Sequence, residues 1–219
     1  MEQFSIDKNQ VVPLLETPFI RVFDLQFAPG KHYYDATRRE KDTLVCLKDE
    51  SEFKQMTADA VSCFVILRSR EKEPRLLLSY EYRYPCGQYL LSVPAGLIDP
   101  EDRTAPQPAL EAAKREIREE TGLEVGDGDC LTLVNPAVFS TPGMTDESNA
   151  LVCAVLEERE TRRLSQKGAV GTERFDGFAL LTAAEAGKIL KDGRDERGLY
   201  YSVYTWCALM WFVSGLWKA

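Results

Sequence analysis

The sequence predicts an α/β protein: a mixed β-sheet covered by helices, preceded by a small antiparallel β lobe. Three observations carry this. The first fifty-odd residues hold short runs of strand-like alternation and no helical period. Further along, strand-like and helix-like runs alternate, the pattern of a sheet covered by helices. Within that stretch, Ala112–Leu123 reads as a helix, with Leu110, Ala113 and Ile117 forming an apolar stripe and Gly122 acting as a stop.

Taken in order, Phe19–Phe27 alternates up to a turn at Pro29-Gly30, and Tyr33-Tyr34 and Thr43–Leu47 follow as partner strands. Ala58–Leu67 and Arg75–Tyr82 make two strands joined by a charged turn over residues 68–74. After the helix come strands near Leu131–Val134 and Ala150–Leu156. Gly177–Leu181 then leads into a helix over Ala183–Lys191. Tyr200–Trp217 is uncharged over eighteen residues, the lower limit for crossing a bilayer. Its Ser202, Thr205, Ser214 and Gly215, and its isolation at the end of an acidic chain, favour a buried terminal helix over a membrane role.

A chain of 219 residues, 44% hydrophobic, has ample material for one main domain and a small extra lobe. The net charge of −8 argues against a nucleic-acid partner, which needs a basic footprint. An anionic small substrate stays compatible if a metal offsets its charge locally. Cys46, Cys63, Cys86, Cys130, Cys153 and Cys207 show no C-x-x-C spacing, and several sit in apolar runs, so they read as reduced core residues. The start Met1-Glu2-Gln3-Phe4 lacks a basic region followed by an apolar stretch, which points to the cytoplasm. With His32 as the single histidine, placed in a turn or on the surface, zinc is not expected.

The chemistry concentrates on Glu116, Glu119 and Glu120. At about 100° per residue, Glu116 and Glu120 share one helix face, with Glu119 beside them, at the border of the apolar stripe. Like charges at i,i+4 cost an isolated helix roughly 0.2–0.5 kcal/mol per pair. The cluster therefore calls for a cation, and oxygen ligands suit Mg²⁺ or Mn²⁺. A solvated face is the competing reading, with Glu111 to Arg115 and Lys114 to Arg118 as ordinary i,i+4 pairs.

The surrounding residues decide between these. Tyr82-Arg83-Tyr84-Pro85, then Leu90–Asp99, then Arg115-Glu116-Ile117-Arg118-Glu119-Glu120-Thr121-Gly122-Leu123 resemble the Nudix hydrolases, whose signature is Gly-x5-Glu-x7-Arg-Glu-U-x-Glu-Glu-x-Gly-U, with U aliphatic. The second half is matched in full, and the first Gly corresponds to Gly96. The first half departs from the pattern. Gly96 and Arg115 lie 19 positions apart where the signature has 14, so about five residues are inserted around 102–106. Counting back from Arg115 puts the signature's first Glu at Gln107, and counting forward from Gly96 puts it at Asp102. Either way the Glu is lost, a change that concerns loop–helix architecture more than the metal centre. Gln107 could hydrogen-bond at the helix start but cannot be an anionic ligand.

The resemblance implies a Nudix α/β/α sandwich over residues 57–219 and a β lobe over residues 1–56. The lobe, Arg83-x-Pro85 and Pro94-Ala95-Gly96-Leu97-Ile98-Asp99 together resemble the ADP-ribose pyrophosphatase group, in which the lobe builds a homodimer and the partner contributes to the substrate pocket. It further implies divalent-metal-dependent cleavage of the pyrophosphate of ADP-ribose or a related nucleoside diphosphate sugar, giving a nucleoside monophosphate and a sugar phosphate. Glu116, Glu120, Glu119 and the Ala95 carbonyl would hold Mg²⁺ or Mn²⁺, and Arg115 would orient the Glu side chains. Gly96 and Arg83 would contact substrate. In the loop Ser140–Ser148, Glu147, ahead of Asp146, is the expected general base, and Glu173 is a further acid candidate. Two other readings are a non-catalytic nucleotide-sugar-binding module and a pyrophosphatase for another derivative such as GDP-mannose.

Overall fold

The computed structural model describes residues 5–158 and 163–218. Two compact units emerge, one of residues 1–58 with 137–149, the other of 59–136 with 150–219.

In the first unit, β1 (Val11–Glu16), β2 (Arg21–Ala28) and β3 (Lys31–Thr37) form an antiparallel sheet in the order β1-β2-β3. The sequence reading missed β1, because Pro13 masks it. Proline cannot donate to a ladder, and the register slips between Pro13 and Leu15 to accommodate it. Gly30, at φ +65°, makes the β2–β3 turn in a conformation that favours glycine. His32, expected on the surface or in a turn, is exposed on β3 and lies 2.8 Å from the Asp24 carboxylate. Val11, Phe23, Leu25 and Leu44 make the lobe's core.

Thr43–Leu47 is not the predicted strand. It forms two 3₁₀ turns, Lys41–Thr43 and Val45–Leu47. Leu44 turns its side chain into the core, and the Val45 N–H donates to Asp146 Oδ2 at 3.0 Å instead of to a neighbouring strand. The short helix α1 (Glu50–Lys54) follows, held by an Asp49/Glu52 capping box.

The second unit is built on β4 (Ala60–Arg68), β5 (Arg75–Arg83), β6 (Gln88–Ser92), β7 (Ala95–Leu97), β8 (Cys130–Phe139), β9 (Ser148–Glu157) and β10 (Phe175–Leu181). The order is β10-β5-β4-β9-β8, with β6 on β5 and β7 on β4. β4 and β5 pair antiparallel. β4 and β9 end side by side: the Glu158 N–H donates to the Arg68 carbonyl, and Arg68 pairs with Glu157. Neighbouring strands that end together run parallel, so the sheet is mixed, as expected. Residues 148–156 of β9 are buried throughout, the mark of a strand covered on both faces.

Helix α2 (Pro108–Thr121) packs on β4 and β7, while α3 (Ala183–Asp192) and α4 (Val203–Ser214) pack on each other and against β4, β5, β6 and β10. α4, the expected buried terminal helix, buries one face through Thr205, Ala208, Leu209 and Phe212, while Trp206, Met210 and Val213 stay exposed. Among the described residues, no helix is long and apolar enough to cross a membrane.

Candidate active site

The site starts from how α2 begins and ends. Pro108 opens it at a position where a missing N–H costs nothing, and Gly122, at φ +73°, closes it in the left-handed region. Between them Ala112, Ala113, Ile117 and Thr121 face the sheet, and Glu116 and Glu120 lie on that same buried face. These two carboxylates are 5% and 2% exposed. They therefore sit deeper than the border position read from the sequence. Glu119, one step round the helix, stays partly exposed.

Arg115 organises the mouth of the site. One guanidinium nitrogen donates to Glu116 Oε1 at 2.6 Å and approaches Glu119 Oε2 at 3.4 Å; the other donates to the Leu97 carbonyl and to Asp102 Oδ2, both at 2.8 Å, and lies 3.3 Å from Asp99. Burial alone would ease its proton off, but the Asp102 hydrogen bond and the Glu116 charge push harder, so its charge is held more firmly than usual. Of the two positions left open by the signature's spacing, Asp102 is the one that pairs with Arg115. The Gln107 side chain makes no cap hydrogen bond, correcting the helix-start role considered for it.

Gly96 faces Glu116 directly. A Cβ built at Gly96 would fall 2.0 Å from Glu116 Oε1, so the bare backbone of β7 is what leaves room for that carboxylate. Ala95, its neighbour, donates its N–H to Glu120 Oε1 at 3.3 Å. The second oxygen, Glu120 Oε2, is buried with no hydrogen-bond partner.

Burial dominates the electrostatics. It pushes Glu116 up to about 7 against the opposing pull of Arg115. Glu120 is driven well above the usual carboxylate range by burial and then by the charge of Glu81, with the Ala95 N–H opposing. Beneath them burial, with Glu120 and Glu116 adding charge, pushes the Cys63 thiol up, so Cys63 is an inert core residue.

Glu81 is a member that sequence reading missed. It is 8% exposed on β5, ion-paired to Arg83 at 2.5 Å, and it feels the charge of Glu173. The available signal was its position two residues before Arg83, which puts both on one face of a strand. Arg83 itself, the expected phosphate contact, is half-exposed.

Glu147 and Asp146 belong to the first unit. Asp146 is spoken for: Oδ1 accepts from Thr37 Oγ at 2.5 Å, Oδ2 accepts from the Val45 N–H, and Arg39 lies 3.5 Å away. Glu147 accepts from Arg38 at 2.7 Å and is about one-third exposed.

Among the described residues, no three Asp, Glu, His or Cys side chains close on one point as a preformed metal cage. The residues nonetheless fit a hard divalent cation. The donors are carboxylates, one of their oxygens is buried and unpartnered, and Arg115, which donates to Glu116, is anchored from outside by Leu97 and Asp102.

Comparison with known proteins follows the same lines. The chain is 31% identical to the ADP-sugar pyrophosphatase of Mus musculus over 122 residues, covering 56% of this chain and 52% of that protein. It is 34% identical to the ADP-ribose pyrophosphatase of Saccharomyces cerevisiae over 95 residues, covering 43% and 37%. The matches thus span about half or less of these relatives' length. Among solved structures, a crystal structure of an ADP compounds hydrolase superposes with a TM-score of 0.53 at 19% identity, covering 95% of this chain and 94% of that one, a likeness of fold. The NUDIX domain model matches residues 56–202, and with more than half of its length so matched the chain belongs to the Nudix family.

Proposed function

We propose that this protein is a Nudix pyrophosphohydrolase that cleaves the pyrophosphate of ADP-ribose or a related nucleoside diphosphate sugar, releasing a nucleoside monophosphate and a sugar phosphate. The observation that carries the proposal is the pair of buried carboxylates, Glu116 and Glu120, one oxygen of which is unpartnered. An uncompensated buried carboxylate is costly, so the arrangement is explained by a ligand that takes it. The relatives' names support the substrate class.

Glu116, Glu120, Glu119 and the Ala95 carbonyl would hold Mg²⁺ or Mn²⁺. When bound, the ion neutralises charge on the phosphate oxygens and lowers the pKa of the attacking water. The chain's own residues position and exclude. Arg115 fixes Glu116 through a charge-assisted hydrogen bond. Gly96 keeps the backbone close to the reacting groups, and Arg83 offers its planar fork to a phosphate. Glu147 is our general base, because Asp146 has both oxygens engaged while Glu147 keeps one ion pair and solvent access. We place the lobe of residues 1–56 in a homodimer interface, with the partner completing the pocket.

The test is a panel of nucleoside diphosphate sugars with Mg²⁺, assayed for nucleoside monophosphate release, on wild type and Glu120→Gln. Release of AMP from ADP-ribose, lost in the variant, is expected. Preference for GDP-mannose would keep the mechanism and change the substrate. Binding of ADP-ribose without turnover of any member would replace catalysis by ligand binding.

A further inference from the structure

Glu81 is a fourth carboxylate of the site with no role in the scheme above. Its side chain is buried on β5, on the same strand face as Arg83. Among the described residues Arg83 is the one cation that reaches it, at 2.5 Å. The groups that share its surroundings are acidic, Glu173 and Glu120, and Glu81 is the strongest charge acting on Glu120. Arg83 is half-exposed, so it stands between a buried negative cluster and solvent.

A guanidinium has one fork of donors, and a carboxylate and a phosphate compete for it. When Arg83 turns to a diphosphate, Glu81 loses its counter-charge while staying buried beside Glu120. The cluster is then more negative by one uncompensated charge, and its demand for a divalent cation rises. The converse follows by linkage: a cation among the carboxylates lowers the hold of Glu81 on Arg83 and frees that side chain for phosphate.

Resting on the proposed metal-dependent reading, we infer that Glu81 is a positioning residue which, by trading Arg83 with the diphosphate, makes cation and diphosphate binding reinforce each other. An ion that touches the diphosphate couples the two by itself, so the signature of Glu81 lies in the sign of its removal. Glu81→Gln releases Arg83 and removes a negative charge. Without metal it should bind the diphosphate more tightly than wild type, and without diphosphate it should bind Mn²⁺ more weakly, each by about fivefold, the lower end of ordinary coupling. Arg83→Gln should do the reverse, tightening Mn²⁺ and weakening the diphosphate.

The experiment uses the full chain with two probes, Mn²⁺ followed by the paramagnetic resonance of the free ion and the methylene-bridged analogue of ADP-ribose followed by calorimetry. Each is titrated alone and in the presence of the other, for wild type, Glu81→Gln and Arg83→Gln. Opposite-sign changes in the two affinities support the inference. Weakening of both affinities in Glu81→Gln, as a merely structural role would give, or no change in either, overturns it. Should Glu81→Gln fail to fold, Arg83→Gln decides alone: tighter Mn²⁺ binding supports the inference and unchanged or weaker binding overturns it. Failure of wild type to bind Mn²⁺ at all would instead sink the metal-dependent reading on which it rests.

Discussion

Gly96 and Glu116 occupy each other's space: the volume a side chain would take at position 96 is filled by the Glu116 carboxylate, whose nearest oxygen lies 2.0 Å from the ideal Cβ. The glycine is therefore a packing constraint, set by a side chain that lies against the backbone of β7.

Gly96→Ala should separate function from folding. The clashing atoms are the far end of a flexible side chain, so Glu116 can move aside and the fold should keep its cooperative thermal transition. The displaced carboxylate leaves Arg115 and the cation site. Loss of partners that orient metal ligands costs about 10–100-fold in affinity or activity, and Gly96→Ala should lose at least that in Mn²⁺ affinity and in kcat. Normal Mn²⁺ binding by a well-folded Gly96→Ala would show that Glu116 works from another position.

The titration of Glu116 makes a second prediction. Its pKa is raised from 4.5 to about 7, so in the folded, metal-free protein the neutral acid is favoured. A raised folded value gives stability that is present below about pH 4.5 and is lost as pH rises through about 7. One pKa unit is about 1.4 kcal/mol, which puts this loss at about 3 kcal/mol. In EDTA, urea unfolding should accordingly give a lower stability at pH 8 than at pH 5.5, and saturating Mg²⁺ at pH 8 should restore it. Cation binding must also expel the Glu116 proton, so Mn²⁺ affinity should climb with pH through about pH 7. A flat affinity profile between pH 5.5 and 8 would contradict the burial argument.

How far the sequence revealed the site depends on whether a residue's role follows a period. Glu116, Glu119 and Glu120 were visible because a helix repeats every 3.6 residues and Gly122 ends it. Their depth was not, since only the packing of Ala112, Ala113 and Ile117 on the sheet sets which side of the apolar border they fall. The strands β4, β5, β9 and β10 announced themselves as apolar runs, whereas β1 was hidden by Pro13. The Thr43–Leu47 run was misread because Asp146, a hundred residues away, takes the backbone N–H that a strand would have shared. Glu81 was missed for a related reason: its spacing to Arg83 puts both on one strand face, but the depth of a carboxylate in an apolar strand is set by its neighbours in space.

The insertion before α2 left two candidates for the signature's lost acid, and the structure separates them in a way that mutagenesis can read. Asp102 accepts from Arg115 at 2.8 Å and from the Asp99 N–H at 3.0 Å, while the Gln107 side chain holds nothing at the helix start. Asp102→Ala should lower stability by about 1–3 kcal/mol, the cost of leaving a partly buried charged donor short of its acceptor. It should also lower kcat by about 10–100-fold through the loosened Arg115 and Glu116. Gln107→Ala should change both by little, within about 0.5 kcal/mol for stability. Thermal melts and steady-state kinetics on the two variants settle it, and a larger effect at 107 than at 102 would reverse the assignment.

Neighbours in one loop, Asp146 and Glu147 should fail in different ways when altered. Asp146 binds Thr37, the Val45 backbone and Arg39, so it ties the loop to two segments of the lobe. Burial, reinforced by the Asp146 charge, pushes the adjacent Asp35 up to about 6, a sign of how closely packed these acids are. Asp146→Ala removes an acceptor of two hydrogen bonds, and at about 1 kcal/mol each and about 2–4 °C per kcal/mol for a chain of this size the melting temperature should drop by about 4–8 °C. Glu147 forms a solvent-facing pair with Arg38, and such pairs contribute at most about 1 kcal/mol. Glu147→Gln should therefore melt near wild type. As the proposed general base, however, its loss should cost about 10²–10⁴-fold in kcat. A Glu147→Gln enzyme that keeps its rate would move the base to another acid, with Glu173 next in line because its charge reaches Glu81, Glu116 and Glu120.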